Sequence, residues 1–350
     1  MPRLKDPQSL GPRWRAVLDD CVAAIAWSGD GRLVAAASAA GAVAILDGGS
    51  GQALLRLAGH PQGALCLAWA PQDRLLATGG ADGTARLWHP TSGHEVAALE
   101  GGAAWVEYLA WGDAPYLLAT AAGKHLKLWS ADGRLLRTAE PPHASTISGL
   151  VWHPQRGRFA SCCYGSVRLH APLKAAPADV FEYAGSLIAL DWSPDGRWIA
   201  CGCQDATVHL WEVASGTDLQ MSGYAGKVRA LAWDPTGRYL ATGGGADVTV
   251  WDFSGKGPAG SKPRILSAHL KPVSHMAYQP QGGLLAMGGP DGIVSLWNPL
   301  KPARPMGLAR PDTQVSALSW RPDGQHFVSG HTNGDVVAWS VPSEGRGFGL

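Results

Sequence analysis

An all-β chain built from repeated four-stranded antiparallel sheets is what the sequence predicts. Three features carry this prediction: a composition rich in turn formers and tryptophan, an aromatic residue that returns every 40 to 45 positions, and no helical periodicity. The 350 residues include 46 Gly, 25 Pro and 16 Trp. Gly and Pro in that number imply many turns, and the indoles need a packed interior. Charged residues make up only 16%, against about 25% in an ordinary globular protein.

The returning aromatics are Trp27, Trp69, Trp111, Trp152, Trp192, Trp233, Tyr278 and Trp320. A second marker follows each at a near-constant offset: Leu46, Trp88, Trp129, His170, Trp211, Trp251, Trp297 and Trp339. Between them the text reads as short strands. In the second unit, Ala64–Trp69 leads into the turn Pro71-Gln72-Asp73, then Leu75–Thr78, the turn Ala81-Asp82-Gly83, Thr84–Trp88, and a last strand from Glu95 to Leu99. Runs such as Leu75-Leu76-Ala77 and Leu117-Leu118-Ala119 are apolar without alternation. Such strands need cover on both faces. Sheets arranged in a ring supply it, since each packs between two neighbours. The predicted fold is a single eight-bladed β-propeller of four-stranded antiparallel blades.

In its motifs the chain resembles the WD-repeat (WD40) family across residues 12 to 341. The second unit matches best, with Gly59-His60, Thr78, Asp82 and Trp88. The resemblance implies that His60, Thr78, Asp82 and Trp88 form a hydrogen-bonded structural network inside the blade. A histidine nine residues before the leading aromatic recurs as His143 and His269, and the turn aspartate as Asp205 and Asp291. At the second marker the literal Trp-Asp pair occurs once, at Trp251-Asp252. Leu46 and His170 depart from the family's Trp.

Too few residues follow Trp339 to complete the last unit, and they include Pro342, Gly345, Gly347 and Gly349. Arg13–Leu18 has strand character. It is expected to supply the missing outer strand and so close the ring, removing an open sheet edge. The expected organisation is one domain, with residues 1–11 an N-terminal tail, 12–341 the propeller and 342–350 a C-terminal tail. The stretch Ser254–Lys262 lengthens one repeat and should protrude as a flexible loop from the opposite face of the ring.

The function classes narrow next. Net charge is +1 with scattered basic residues, so no extended field attracts nucleic acid. No apolar run nears the ~20 residues of a membrane helix. The N-terminus lacks the apolar stretch of a signal peptide. A cytoplasmic protein, monomeric outside its complexes and without membrane insertion, is the expectation. No nucleophile elbow, Walker loop or HExxH occurs, so no catalytic residue and no cofactor is assigned.

Six cysteines are present: Cys21, Cys66, Cys162, Cys163, Cys201 and Cys203. In a cytosolic chain they are expected reduced, most of them as small buried apolar residues. Cys162, Cys201 and Cys203 are the candidates for a metal site, with Cys163 in the same layer. The spacing of strong zinc motifs is absent, so no metal is assigned.

The remaining expectation is a non-catalytic scaffold presenting one face of the ring to protein partners of unstated identity. The loops joining outer to inner strands and the second-to-third-strand turns emerge together on that face. They carry Trp105, Thr146, Tyr164, Gln204, Lys227, Lys271, His331 and Thr332. The alternative is a propeller that binds a small ligand or metal in its central channel or near Cys162, Cys163, Cys201 and Cys203.

Overall fold

The strand Ala64–Trp69 pairs with Leu76–Gly80, which pairs with Thr84–Trp88, which pairs in turn with Glu95–Glu100, all antiparallel. Every residue of Leu76–Gly80 is buried, which explains its unalternating apolar text. The turn Pro71–Asp73 is a single 3₁₀ turn. The Asp73 carboxylate accepts from the backbone N–H groups of Gly29 (2.6 Å) and Asp30 (2.7 Å), tying this sheet to the one before it.

The structure is a computed structural model that describes residues 7–112, 116–155, 157–172, 174, 177, 179–255 and 257–342. Residues 1–6 and 343–350 of the expected tails, and Lys256 of the expected flexible loop, lie outside the described residues. The strands form a propeller of packed antiparallel sheets. Each core cluster mixes residues of neighbouring sheets. One joins Val43, Ile45 and Leu57 to Ala64, Leu76 and Trp88. Fully burying one such aliphatic side chain contributes about 1.5–3 kcal/mol. Directional bonds cross the same seams. The indole N–H groups of Trp69, Trp111, Trp152 and Trp320 donate to the carbonyls of Ala26, Ala68, Ala110 and Ala277 in the preceding sheet, at 2.7–3.2 Å.

The expected count of eight separate blades is corrected. Hydrogen bonding gives seven sheets. Five are four-stranded, one is five-stranded, and one is six-stranded and runs from Gly149 to Met221. In that sheet the strand Asp179–Trp192 pairs first with Phe159–His170 and then with Trp198–Cys203. The chain marks this only faintly: the interval from Trp152 to Trp192 is shorter by a single residue than those on either side. The outer-strand segment Asp179–Glu182 runs without a chain reversal into the inner-strand segment Leu187–Trp192, so two sequence units share one continuous strand. Phe159–His170 is also unbroken, and it bends at Gly165, whose φ is +94°.

The N-terminal strand Pro12–Val17 lies antiparallel on Asp335–Ser340 and completes a four-stranded sheet with His326–His331 and Val315–Trp320. Trp14 is buried in that seam, and its indole donates to Gly48 O at 3.1 Å. Arg15 Nε donates to Asp335 Oδ1 at 2.8 Å. Gln8–Ser9 sit within the stretch expected to be a tail, yet they pair in parallel with Gly307–Leu308, and Leu10 is buried in the next seam. A two-residue strand has no periodicity to read.

Candidate interaction face

On one face of the ring, each loop entering an inner strand meets the turn between the second and third strands of its own unit. His60 reaches Asp82, Ser145 Oγ accepts from Tyr164 N–H (3.0 Å), Ser186 O accepts from Gln204 N–H (3.0 Å), and the Thr313 and Thr332 hydroxyls lie 3.1 Å apart. These bonds fix the loops that carry the candidate residues. Trp105 is 57% exposed and Tyr164 58%. Thr146, Gln204, Lys227, Lys271 and Thr332 are exposed as well. His331 is not. It is wholly buried, its Nε2 lies 2.8 Å from Ser329 Oγ, and the Trp339 indole donates to the same hydroxyl at 2.8 Å. It ends a strand with its ring turned into the sheet, so it cannot meet a partner.

The interior network is continuous around Trp88. The Trp88 indole donates to Thr78 Oγ1 (2.9 Å), Thr78 Oγ1 lies 2.9 Å from His60 Nε2, and His60 Nδ1 lies 3.0 Å from Asp82 Oδ1. Burial lowers the proton affinity of His60 while Asp82 pulls it back up. The same arrangement links Trp297, Ser295, His269 and Asp291. Two members escaped the sequence reading. Tyr183 and Tyr224 stand nine residues before their leading aromatics, where His60 stands before Trp69. Tyr224 OH lies 2.8 Å from Thr242 Oγ1 and accepts from the Trp251 indole at 3.0 Å. Tyr183 OH donates to Asp205 Oδ2 at 2.8 Å. The signal was positional; a search restricted to histidine passes over it.

All six cysteines are unpaired thiols. Cys162, Cys163, Cys201 and Cys203 are buried. Cys162 Sγ lies 3.5 Å from Ser148 Oγ, and Cys162 and Cys201 share one core cluster across adjoining sequence units. Cys203 Sγ is 3.7 Å from Cys201 O, and Cys163 Sγ is 3.3 Å from His143 Nδ1. Burial pushes the Cys201 thiol well up. Among the described residues no group of three His, Cys, Asp or Glu side chains is arranged to hold a metal ion. The central channel forms a cavity of about 450 Å³ whose wall includes Tyr108, Ser148, Asp191, Arg229 and His275. Desolvation raises Asp191 to about 7 and lowers His275 to about 4. No helix among the described residues is long and apolar enough to cross a membrane.

Comparison with known proteins fits this architecture. The chain is 23% identical to "Protein LST8 homolog" of Drosophila melanogaster over 223 residues, 63% of this chain and 58% of that protein. It is 25% identical to "Cell division cycle 20.1, cofactor of APC complex" of Arabidopsis thaliana over 233 residues, 62% of this chain and 41% of that protein. A 59-residue stretch is 40% identical to "Mitotic checkpoint protein bub-3" of Caenorhabditis elegans and covers 17% of each chain. The chain thus spans less than two thirds of the length of these relatives. The crystal structure of the computationally designed Ika8 protein superimposes with a TM-score of 0.81 at 21% identity, covering 94% of this chain and 99% of that one, which speaks to fold alone. The WD40 description "WD domain, G-beta repeat" matches residues 51–89, 180–212, 217–252, 260–298 and 308–340. With more than half of its residues matched and its sheets closed into a propeller, the chain belongs to the WD40 repeat family.

Proposed function

We propose that the chain is a non-catalytic scaffold whose loop face binds a protein partner through Trp105 and Tyr164. The observation that carries this reading is their exposure, 57% and 58%, in neighbouring loops of that face. Large aromatics left in solvent on fixed loops are natural interface anchors. Thr146 and Gln204 lie in the loops that follow around the ring and add hydrogen-bonding groups. A relative named as a cofactor of the APC complex supports a role within an assembly. The alternative, a small ligand or metal in the central channel or near Cys162, Cys163, Cys201 and Cys203, is weakened at the cysteines, which are all buried, with Cys162 Sγ beside Ser148 Oγ and Cys203 Sγ bonded to backbone.

The test is the double variant Trp105→Ala/Tyr164→Ala. Each anchor lost should weaken partner capture by about thirtyfold, while circular dichroism and Tm stay at the wild-type value because neither side chain is in a core cluster. Unchanged capture with unchanged Tm removes this part of the face from the proposal.

A further inference from the structure

We propose that the loops around Leu270 form a second contact site on the same face, one that takes an acidic peptide segment carrying an apolar side chain. This rests on the scaffold reading but uses different residues. Leu270 is 78% exposed, the most of any large apolar side chain described. Its backbone is nonetheless held: Leu270 N–H donates to Asp291 Oδ2 at 2.8 Å. Asp291 also faces His269 Nδ1 at 3.2 Å, and its own side chain is nearly buried. The carboxylate in this loop is therefore turned inward, and the leucine is presented to solvent on a fixed support.

The surroundings are cationic. Lys271 follows Leu270 and is exposed. Arg310, exposed in the next loop, lies near enough to His269 to depress its proton affinity. Lys227 and Arg229 are exposed in the loop on the other side, with Arg229 at the wall of the channel. Among the described residues none of these four cations has an ion-pair partner. Elsewhere Arg15, Arg56, Arg86, Arg197, Arg238 and Arg321 are all paired.

Carboxylates on this face are mostly occupied. Hydrogen bonds hold Asp19, Asp82, Asp205, Asp291 and Asp335 below the usual range even though burial pushes each of them up. Two exposed acids, Asp247 and Asp312, flank the arc, fewer than its four cations. Unpaired cations around a fixed apolar anchor are complementary to a carboxylate-bearing segment with one apolar residue. So few cations in three loops make a weak footprint for nucleic acid, whose affinity grows with the number of phosphates neutralised.

The experiment uses the full chain and three fluorescent probes: a short Glu-rich peptide with one central Leu, the same peptide with Lys for Glu, and a single-stranded oligonucleotide. The Glu peptide should bind and the other two should not. Its affinity should fall about tenfold or more in Lys271→Glu/Arg310→Glu, severalfold in Leu270→Ser, and steeply with added salt. Trp105→Ala/Tyr164→Ala should leave it unchanged, which separates failure of this site from failure of the aromatic one. No binding of the Glu peptide, binding undiminished by the charge reversal, or equal binding of the Lys peptide or the oligonucleotide overturns the proposal. Unchanged Tm in the variants confirms that folding is not what was measured.

Discussion

The sheet around Trp88 and the six-stranded sheet around His170 place a histidine at the same position of the repeat and surround it differently. His60 faces the Asp82 carboxylate on one side and Thr78 on the other, with Trp88 closing the chain of bonds. His143 faces the Cys163 thiol and Ser161, and Ser161 Oγ lies 2.8 Å from His170 Nε2. Gly165 occupies the sequence position that Asp82 holds, so no carboxylate is available. Arg168 acts on both histidines and Arg137 on His170. His143 falls to about 4 and His170 to about 3, with burial the first cause of each. Burial lowers the proton affinity of the histidine in both sheets, but only in the first does a carboxylate offset part of it.

The largest test of this contrast is truncation. Trp88→Ala removes a buried indole and leaves Thr78 without its donor, and should cost about 3–5 kcal/mol. His170→Ala removes a smaller ring stacked on Phe159 at 4.8 Å and should cost about 1–3 kcal/mol. Chemical denaturation of both variants checks the ranking. Equal losses would mean that the two networks support their sheets to the same degree.

How far the sequence foretold this contrast differs by feature. Strand text and aromatic spacing located the sheets, because their signals are local and periodic. The offsets of His60, Asp82 and Trp88 repeat along the chain, whereas their linkage with Thr78 followed from the family resemblance. The fusion of two units through Asp179–Trp192 was visible only as a shortened interval, and whether a short connection turns or runs straight depends on pairing partners distant in sequence. The pairing of Gln8–Ser9 had no sequence signal. His331 was placed on the face by its offset, but strand parity decides which way a ring points, and an error of one residue inverts it. Exposure of Trp105 and Leu270 depends on how neighbouring loops stack, which no local pattern encodes.

A second prediction concerns acid. The unfolded histidine pKa is 6.5 and the folded value at His170 is about 3. Between those values the unfolded chain binds the extra proton, so stability is present above pH 6.5 and is lost as pH falls. The cost is physical: His170 Nδ1 is buried without a partner, so a charged ring there would hold an unmet donor. Each such histidine should cost about 1.4 kcal/mol per pH unit. His170→Phe should therefore recover about 2 kcal/mol of the loss between pH 6.5 and pH 5, whereas His60→Phe should recover less, since Asp82 already favours the proton. Denaturant midpoints measured across that range decide it; identical acid limbs in wild type and His170→Phe would show that the neutral pair is not the sensitive element.

The smallest expected effect comes from the same six-stranded sheet and has the opposite sign. Asp191 precedes Trp192 on the channel wall, where other sheets place Ala26, Ala68, Ala110, Ala232 and Ala277. Desolvation raises its folded pKa from 3.8 to about 7, although its carboxylate accepts the Trp192 backbone N–H at 2.9 Å. Below pH 3.8 both states hold the proton and nothing depends on pH. From there to about pH 7 the unfolded chain releases a proton that the folded chain keeps, so this group withdraws stability as pH rises. Above pH 7 both are ionised and the loss is complete. Asp191→Asn keeps the accepting oxygen and removes the charge. It should stabilise the protein by on the order of 1–2 kcal/mol at pH 8, a figure kept below the full shift because the channel wall is only half-buried, and should change nothing near pH 3.5. It should also make the acid limb due to His143 and His170 steeper, because Asp191 in the wild type offsets part of their slope over the same interval. A variant that is no more stable than wild type at pH 8 would place this carboxylate in contact with channel water and remove it from the electrostatics of the sheet.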